Sequence, residues 1–181
     1  MTAANKKRWL SVRELVLFSM FGALMFSSKL LMEGLPNIHL LGMFTITFTL
    51  VYRKKALFPI FVYVFLLGIY GGFGYWWIAN LYTWTILWGI TMLLPTKMLA
   101  RAPIVIRVIV YCLVCGLHGL LYGTMCAPVE AIVHGFNLEQ TLAYIAYGLY
   151  FDLLHCFGNV VSALLVIPLA KLLTRLERSR A

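Results

Sequence analysis

Long apolar runs, broken by short polar or glycine-rich interruptions, divide this chain from Glu14 to Leu173. The pattern predicts helices over residues 14–32, 40–52, 56–70, 76–94, 104–126 and 141–173, most of them near the roughly 20 apolar residues that one bilayer crossing requires. The runs 40–52 and 56–70 fall short of that length, so tilting or packing behind other helices is expected of them. Pro59 sits in the first turn of its run, where a missing N–H costs little. Glycines 68, 71, 72 and 74 allow a tight turn before the fourth run, and Pro95 ends that run. The connections at the opposite end from the basic turns are expected over Glu33 to His39, Gly68 to Gly74 and Ala127 to Gln140, the last carrying Glu130, His134 and Glu139. The expected fold is all-α, a single polytopic membrane domain over residues 1–181 with six transmembrane helices. No internal repeat, low-complexity tract or linker interrupts it.

Charge orients the expected bundle. The cations fall into four clusters, Lys6, Lys7, Arg8 and Arg13; Arg53, Lys54 and Lys55; Lys97, Arg101 and Arg107; and Lys171, Arg175, Arg178 and Arg180, with Lys29 alone outside them. Successive clusters are two crossings apart, so every second connection is basic and both termini are expected on the cytoplasmic side. The 181 residues are 62% hydrophobic and 12% charged, with mean hydropathy +0.90, a composition foreign to soluble globular domains. The net charge of +9 flanks apolar runs instead of forming one basic face with stacking aromatics. It reads as topology signal and contact with anionic lipid, and no nucleic-acid partner is expected. The first run lacks a small-residue cleavage site and reads as a span, not a removable leader.

Candidate chemistry concentrates in the last run. Asp152, His155 and Asn159, three and four residues apart, share one helical face. A carboxylate within a membrane is costly and needs a protein partner or a water-filled cavity, so these residues are either a ligand site or a structural network joined by His118. Run direction places Lys29, Asn80, Tyr82, Trp84, His118, Tyr122, Asp152 and His155 in the outer half. Most boundary aromatics fit an interfacial belt. Asn80, Tyr82, Trp84 and Trp88 reach deeper, and one or two of Trp77, Tyr82 and Trp84 are expected to line a pocket for a planar organic ligand.

Other chemistry is sparse. Cys112, Cys115, Cys126 and Cys156 read as buried free thiols. A metal site built from Cys115, His118, Asp152 and His155 has no local ligand motif behind it, so neither metal nor other cofactor is expected. Gly-x-Ser-x-Gly, His-Glu-x-x-His and P-loop motifs are all missing, and the chain does not read as an enzyme. Without an ATPase motif, a transporter of this size must couple to ions, act passively or draw energy from partners. Ser19, Ala23 and Ser27, four apart on the first run, make a small-residue stripe. Such a stripe serves either an internal helix contact or the docking of another membrane subunit.

Taken together, the six-run layout, the Ser19-x-x-x-Ala23-x-x-x-Ser27 stripe, the Arg53-Lys54-Lys55-Ala56 connection and the outer-half polar residues resemble the substrate-binding S components of energy-coupling factor (ECF) vitamin transporters. The resemblance spans nearly the whole chain. In that family the stripe is commonly Ala-x-x-x-Ala, and here two of the three positions are serine. The resemblance implies a multi-pass protein of the bacterial plasma membrane that takes a vitamin or related micronutrient from outside. It also implies partnership with a transmembrane T component and two cytoplasmic ATPase subunits, with lids around Glu33 to His39, Tyr70 to Trp77 and Ala127 to Gln140. Cobalamin and its precursors, pyridoxine-like vitamins, pantothenate, riboflavin and queuosine precursors are all open as substrates. The competing expectation is a self-sufficient transporter in which Asp152 and His155 relay protons, against which stands the lack of inverted-repeat halves.

Overall fold

The computed structural model describes residues 10–179, so Lys6, Lys7, Arg8 and Arg180 of the basic clusters lie outside the described residues. These residues form helices α1 (Val12–Leu31), α2 (Leu41–Tyr52), α3 (Leu57–Gly71), α4 (Tyr75–Leu93), α5 (Thr96–Arg101), α6 (Ile104–Leu120), α7 (Tyr122–His134), α8 (Leu138–Ala163) and α9 (Val166–Arg178). No strand occurs among them. By length and composition Val12–Leu31, Leu41–Gly71 and Ile104–His134 can each cross a membrane, and the bent pair α8 and α9 makes a fourth candidate.

Leu41–Gly71 is not one straight crossing. Arg53 takes φ 53°, ψ −121°, a conformation that costs a non-glycine residue about 1–3 kcal/mol and persists only where the surroundings hold it. Here the Trp88 indole donates to the Arg53 carbonyl at 3.1 Å, and the Arg53 guanidinium donates to the Met92 carbonyl at 3.1 Å. The chain therefore reverses through a 3₁₀ turn over Arg53–Ala56. Phe21 stacks on Phe48 and Phe18 meets Tyr52 edge-on, so α2 runs antiparallel to α1. By contrast Lys55 pairs with Glu14 at one end of the bundle, and Tyr70 donates to Glu33 at the other. Thus α3 runs parallel to α1. Gly22 makes that closeness possible, since a Cβ there would lie 2.5 Å from Val62 and 2.9 Å from the Pro59 carbonyl.

Every residue of α2 from Leu41 to Thr49 is buried. A helix apolar on all sides belongs inside a fold, and α2 is flanked by α1, α4, α6, α8 and α9. Thr49 is satisfied by bonding back along the helix to the Thr45 carbonyl at 2.6 Å, whereas the Thr45 hydroxyl is buried without a partner. The shortness noted in the sequence follows from this position: α2 is packed behind other helices.

Three of the expected bounds change. Residues 127–140 were expected as a loop, but α7 continues through Pro128 to His134 and α8 begins at Leu138. Glu130 and His134 pair one turn apart at 3.3 Å, which keeps the polar face of that extension satisfied. Gly135, at φ 67°, closes α7 in the left-handed conformation, and Asn137 with Gln140 forms a capping box that starts α8. The last run is likewise two helices, because α8 and α9 meet at 46° after Ala163. The connection expected over 68–74 shrinks to Gly72–Gly74.

Candidate functional site

α6 and α8 make the closest seam of the bundle, and that seam positions the polar residues of α8. A Cβ on Gly119 would meet Asn159 Nδ2, the Cys156 amide and the His155 carbonyl carbon, each at 2.9 Å, and one on Gly116 would meet Val160 at 2.7 Å. Small residues let backbones come this close. Asn159, fully buried, donates to the Cys115 carbonyl at 2.9 Å and fixes the register of the two helices.

One turn toward the start of α8, His155 faces a partly open cavity of about 190 Å³. Lys29 of α1, Tyr63 of α3, Asn80 and Trp84 of α4, Tyr122 of α7 and His155 of α8 all line it. Asn37 and His39, from the connection between α1 and α2, contribute as well. Rings dominate the walls. The His155 centroid lies 4.6 Å from that of His39 and 4.9 Å from that of Tyr122, and Trp84 is edge-on to Tyr63 and to His39. Asn80 Oδ1 accepts from the Trp84 indole at 3.0 Å and from the Tyr122 hydroxyl at 3.2 Å. This shared acceptor holds both rings against the cavity.

Three histidine side chains here keep unused hydrogen-bonding capacity. Both ring nitrogens of His155, Nδ1 of His39 and Nδ1 of His118 are buried without a partner. Leaving such an atom unpaired costs about 1–3 kcal/mol, which is tolerated where a ligand is to supply the partner. His118 stands behind the wall, its Nε2 3.0 Å from the Thr83 carbonyl and its ring beside Trp84. Lys29 is the sole cation lining the cavity and takes part in no ion pair among the described residues.

The other sequence candidates lie around the cavity rather than on it. Asp152 is 4% exposed and accepts from the Gly123 amide at 3.0 Å. Gly123 is the second residue of α7, whose first amides have no side-chain cap from their own segment, so Asp152 caps α7 from α8. It also lines an outer vestibule of about 410 Å³ with Tyr144, Tyr147 and Phe151. Asn37 and Tyr122 border both spaces. Tyr82 donates to the Met125 carbonyl at 2.6 Å and Trp77 to the Val64 carbonyl at 2.7 Å. Those two tie α4 to its neighbours and do not line the cavity.

Sequence reasoning placed Asn37 and His39 only in a lid and left Tyr63 unmarked. His39 carried a usable signal, being an ionisable ring abutting the start of an apolar run; Tyr63, inside Phe58–Phe65, carried none. Asn37, at φ 55°, donates to the Phe151 carbonyl at 3.3 Å and lays the 33–39 connection across α8.

The small-residue stripe also has a place. Ser19 is half-buried while Ala23 and Ser27 are exposed, and Gly22 rather than the stripe forms the internal seam with α3. Among the described residues no three His, Cys, Asp or Glu side chains are placed to hold a metal ion, and the four cysteines are free. No family model, curated protein or solved structure matches this chain.

Proposed function

We propose that this chain is the membrane-embedded substrate-binding subunit of an ECF-type importer. In this reading the cavity beneath the 33–39 connection captures a small organic micronutrient from outside, and a T component with two ATPase subunits drives its delivery to the cytoplasm. The observation that carries it is the cavity itself. It is walled by rings and supplied with buried imidazole nitrogens that have no partner. It also lies at the end of the bundle away from the Arg53–Lys55 turn, near the Tyr70 to Glu33 contact. The six alternating passes are read as six bilayer crossings with the basic turns and both termini cytoplasmic, in a bacterial plasma membrane.

The lining favours a compact ligand. A volume of about 190 Å³ lies below the roughly 300–1,000 Å³ of ordinary ligand pockets, which suits a molecule of one or two rings and leaves no space for cobalamin. Lys29 supplies a counter-charge for a carboxylate or phosphate, His39 and His155 offer hydrogen bonds, and Trp84, Tyr63 and Tyr122 cover a planar ring. Entry would run through the Asp152 vestibule once Asn37 releases Phe151. Ser19, Ala23 and Ser27 present a smooth outward strip on α1 for the T component. The proton-relay alternative has less support, because no hydrogen bond joins Asp152 to His155 and Asp152 is engaged by the Gly123 amide.

The test is co-expression with candidate T and ATPase subunits, co-purification, and mass spectrometry of small molecules released on denaturation. A stoichiometric complex with a compact ring acid bound is expected. Ala23→Leu should abolish complex formation and uptake while leaving the isolated subunit folded and its ligand bound. Uptake by reconstituted protein without any partner would overturn the reading in favour of a self-sufficient transporter.

A further inference from the structure

At the basic end the ten described cations from Arg13 to Arg178 outnumber two carboxylates, and both carboxylates are engaged. Glu14 pairs with Lys55 and closes the α1 capping box, while Glu177 meets Arg13 at 3.7 Å and the Tyr52 hydroxyl at 3.3 Å. Adjoining this region, and sharing Leu50, Val51, Thr174 and Arg178 with it, lies a groove of about 430 Å³ between α2, α5, α6 and α9. Arg107, Lys171, Arg175 and Arg178 line it, and no carboxylate does. Arg107 Nε is buried there without a partner. Four cations around one concavity, none in an ion pair with a described acid, repel one another unless an anion sits among them.

The groove is also amphipathic. Leu50, Val51, Ile167 and Ala170 line it alongside the cations. Lys171, Arg175 and Arg178 recur at helical spacing along α9, which leaves α8 at 46°, while Leu172 and Leu176 on the same helix are exposed. A helix with one basic and one exposed apolar face, set at an angle to its predecessor, suits the boundary between headgroups and acyl chains.

We infer that this groove binds the phosphate of an anionic phospholipid, with Arg107 and Arg175 as its principal contacts and the apolar lining against the glycerol and upper acyl chain. Arginine holds phosphate oxygens through paired N–H donors, and basic concavities between membrane helices accept such headgroups. The site is independent of the outer cavity and of the transport reading.

The experiment uses the full chain, purified in detergent and exchanged into nanodiscs of phosphatidylcholine with graded phosphatidylglycerol. Native mass spectrometry on release and thermal unfolding are read together. Retention of phosphatidylglycerol over phosphatidylcholine, with a melting temperature that rises with its fraction, is expected. The double variant R107Q/R175Q should weaken retention by about 30-fold, the effect of removing two headgroup contacts. Lys97→Gln, a charge at the same end that does not line the groove, should leave it unchanged. The single exposed variant Arg175→Gln gives the same direction without disturbing half-buried Arg107 if the double variant fails to fold. Equal loss in Lys97→Gln would reduce the effect to net charge and overturn the site. Millimolar inorganic phosphate that stabilises the wild type and displaces the lipid would reassign the groove to a soluble phosphate compound and overturn the lipid assignment.

Discussion

Replacing His155 with phenylalanine separates a ligand site from a structural network, because the two predict opposite signs. His155 is 1% exposed, and both of its ring nitrogens lack partners. A neutral imidazole carries one donor and one acceptor, each costing about 1–3 kcal/mol when buried and unpaired. Phenylalanine removes both atoms. It keeps the ring edges that meet His39 at 4.6 Å and Tyr122 at 4.9 Å, contacts worth about 0.5–1.5 kcal/mol each. Its additional volume can enter the adjoining 190 Å³ cavity, so overpacking is small. The ligand-free variant is therefore expected to be more stable than wild type by about 1–3 kcal/mol, even if one of the two nitrogens is only weakly penalised.

The same change should weaken ligand binding by about 1.5–3 kcal/mol, the range for a hydrogen bond to a charged group. The assay is thermal and denaturant unfolding of ligand-stripped protein in one detergent, paired with binding of whatever compound the wild type retains. A His155→Phe protein that melts below wild type would refute the reasoning, since it would mean that the nitrogens are bonded in the native state and that His155 belongs to a structural network.

Asp152→Ala should act in the opposite sense, lowering stability by about 0.5–2 kcal/mol, because it uncaps the Gly123 amide at the start of α7; unchanged unfolding would remove the capping role. Gly119→Ala should cost about 1–3 kcal/mol by overpacking against the α8 backbone, whereas Gly148→Ala, with nothing within 4 Å, should stabilise α8 by up to about 1 kcal/mol. If the two variants unfold alike, the α6–α8 seam is looser than its geometry implies. His39, in the connection before α2, is held well below its ordinary value of 6.5, chiefly by burial and then by the His155 and Lys29 charges. The unfolded chain then takes up a proton at this site below about pH 6.5 that the native state refuses, so His39 alone contributes a loss of stability with falling pH of at most about 1.4 kcal/mol per unit, and His39→Gln should reduce the slope by up to that amount. Cysteines introduced at positions 54 and 97 should label from the cytoplasm and those at 36 and 134 from outside. Labelling of 36 and 97 from one side would sink the six-crossing topology.

How far the sequence could be read depended on whether the signal was local. Apolar runs and their breaks are local, and the first four helices begin and end within two residues of the expected bounds. The extension of α7 was hidden, because Pro128, Glu130 and His134 have the composition of a loop. The Glu130–His134 pair adds a few tenths of a kcal/mol to the helix, packing against α4 and α8 supports it, and its stop at Gly135 is revealed only by the backbone conformation. The face shared by Asp152, His155 and Asn159 was legible from spacing. Their three different duties, capping α7, facing the cavity and bonding Cys115, depend on what α6 and α7 bring opposite each turn. His39 and Tyr63 joined the cavity through contacts between distant segments, which no window of sequence contains.

The buried helix α2 links the two ends that carry unpaired polar groups. Leu41 at its start lines the outer cavity, while Leu50 and Val51 near its end line the basic groove, about 14 Å apart at 1.5 Å per residue. Every residue between Leu41 and Thr49 is buried, and a side-chain hydrogen bond ties the far end of α2 to α9, from the Tyr52 hydroxyl to Glu177. Gly42 adds a close contact at the other end, because a Cβ there would stand 2.6 Å from Cys115 Sγ and 3.0 Å from Asn159 Oδ1. The α2 backbone thus rests directly on the α6–α8 seam, one turn below His155. The same helix is held at its other end where Arg53 and its Trp88 and Met92 partners fix the reversal.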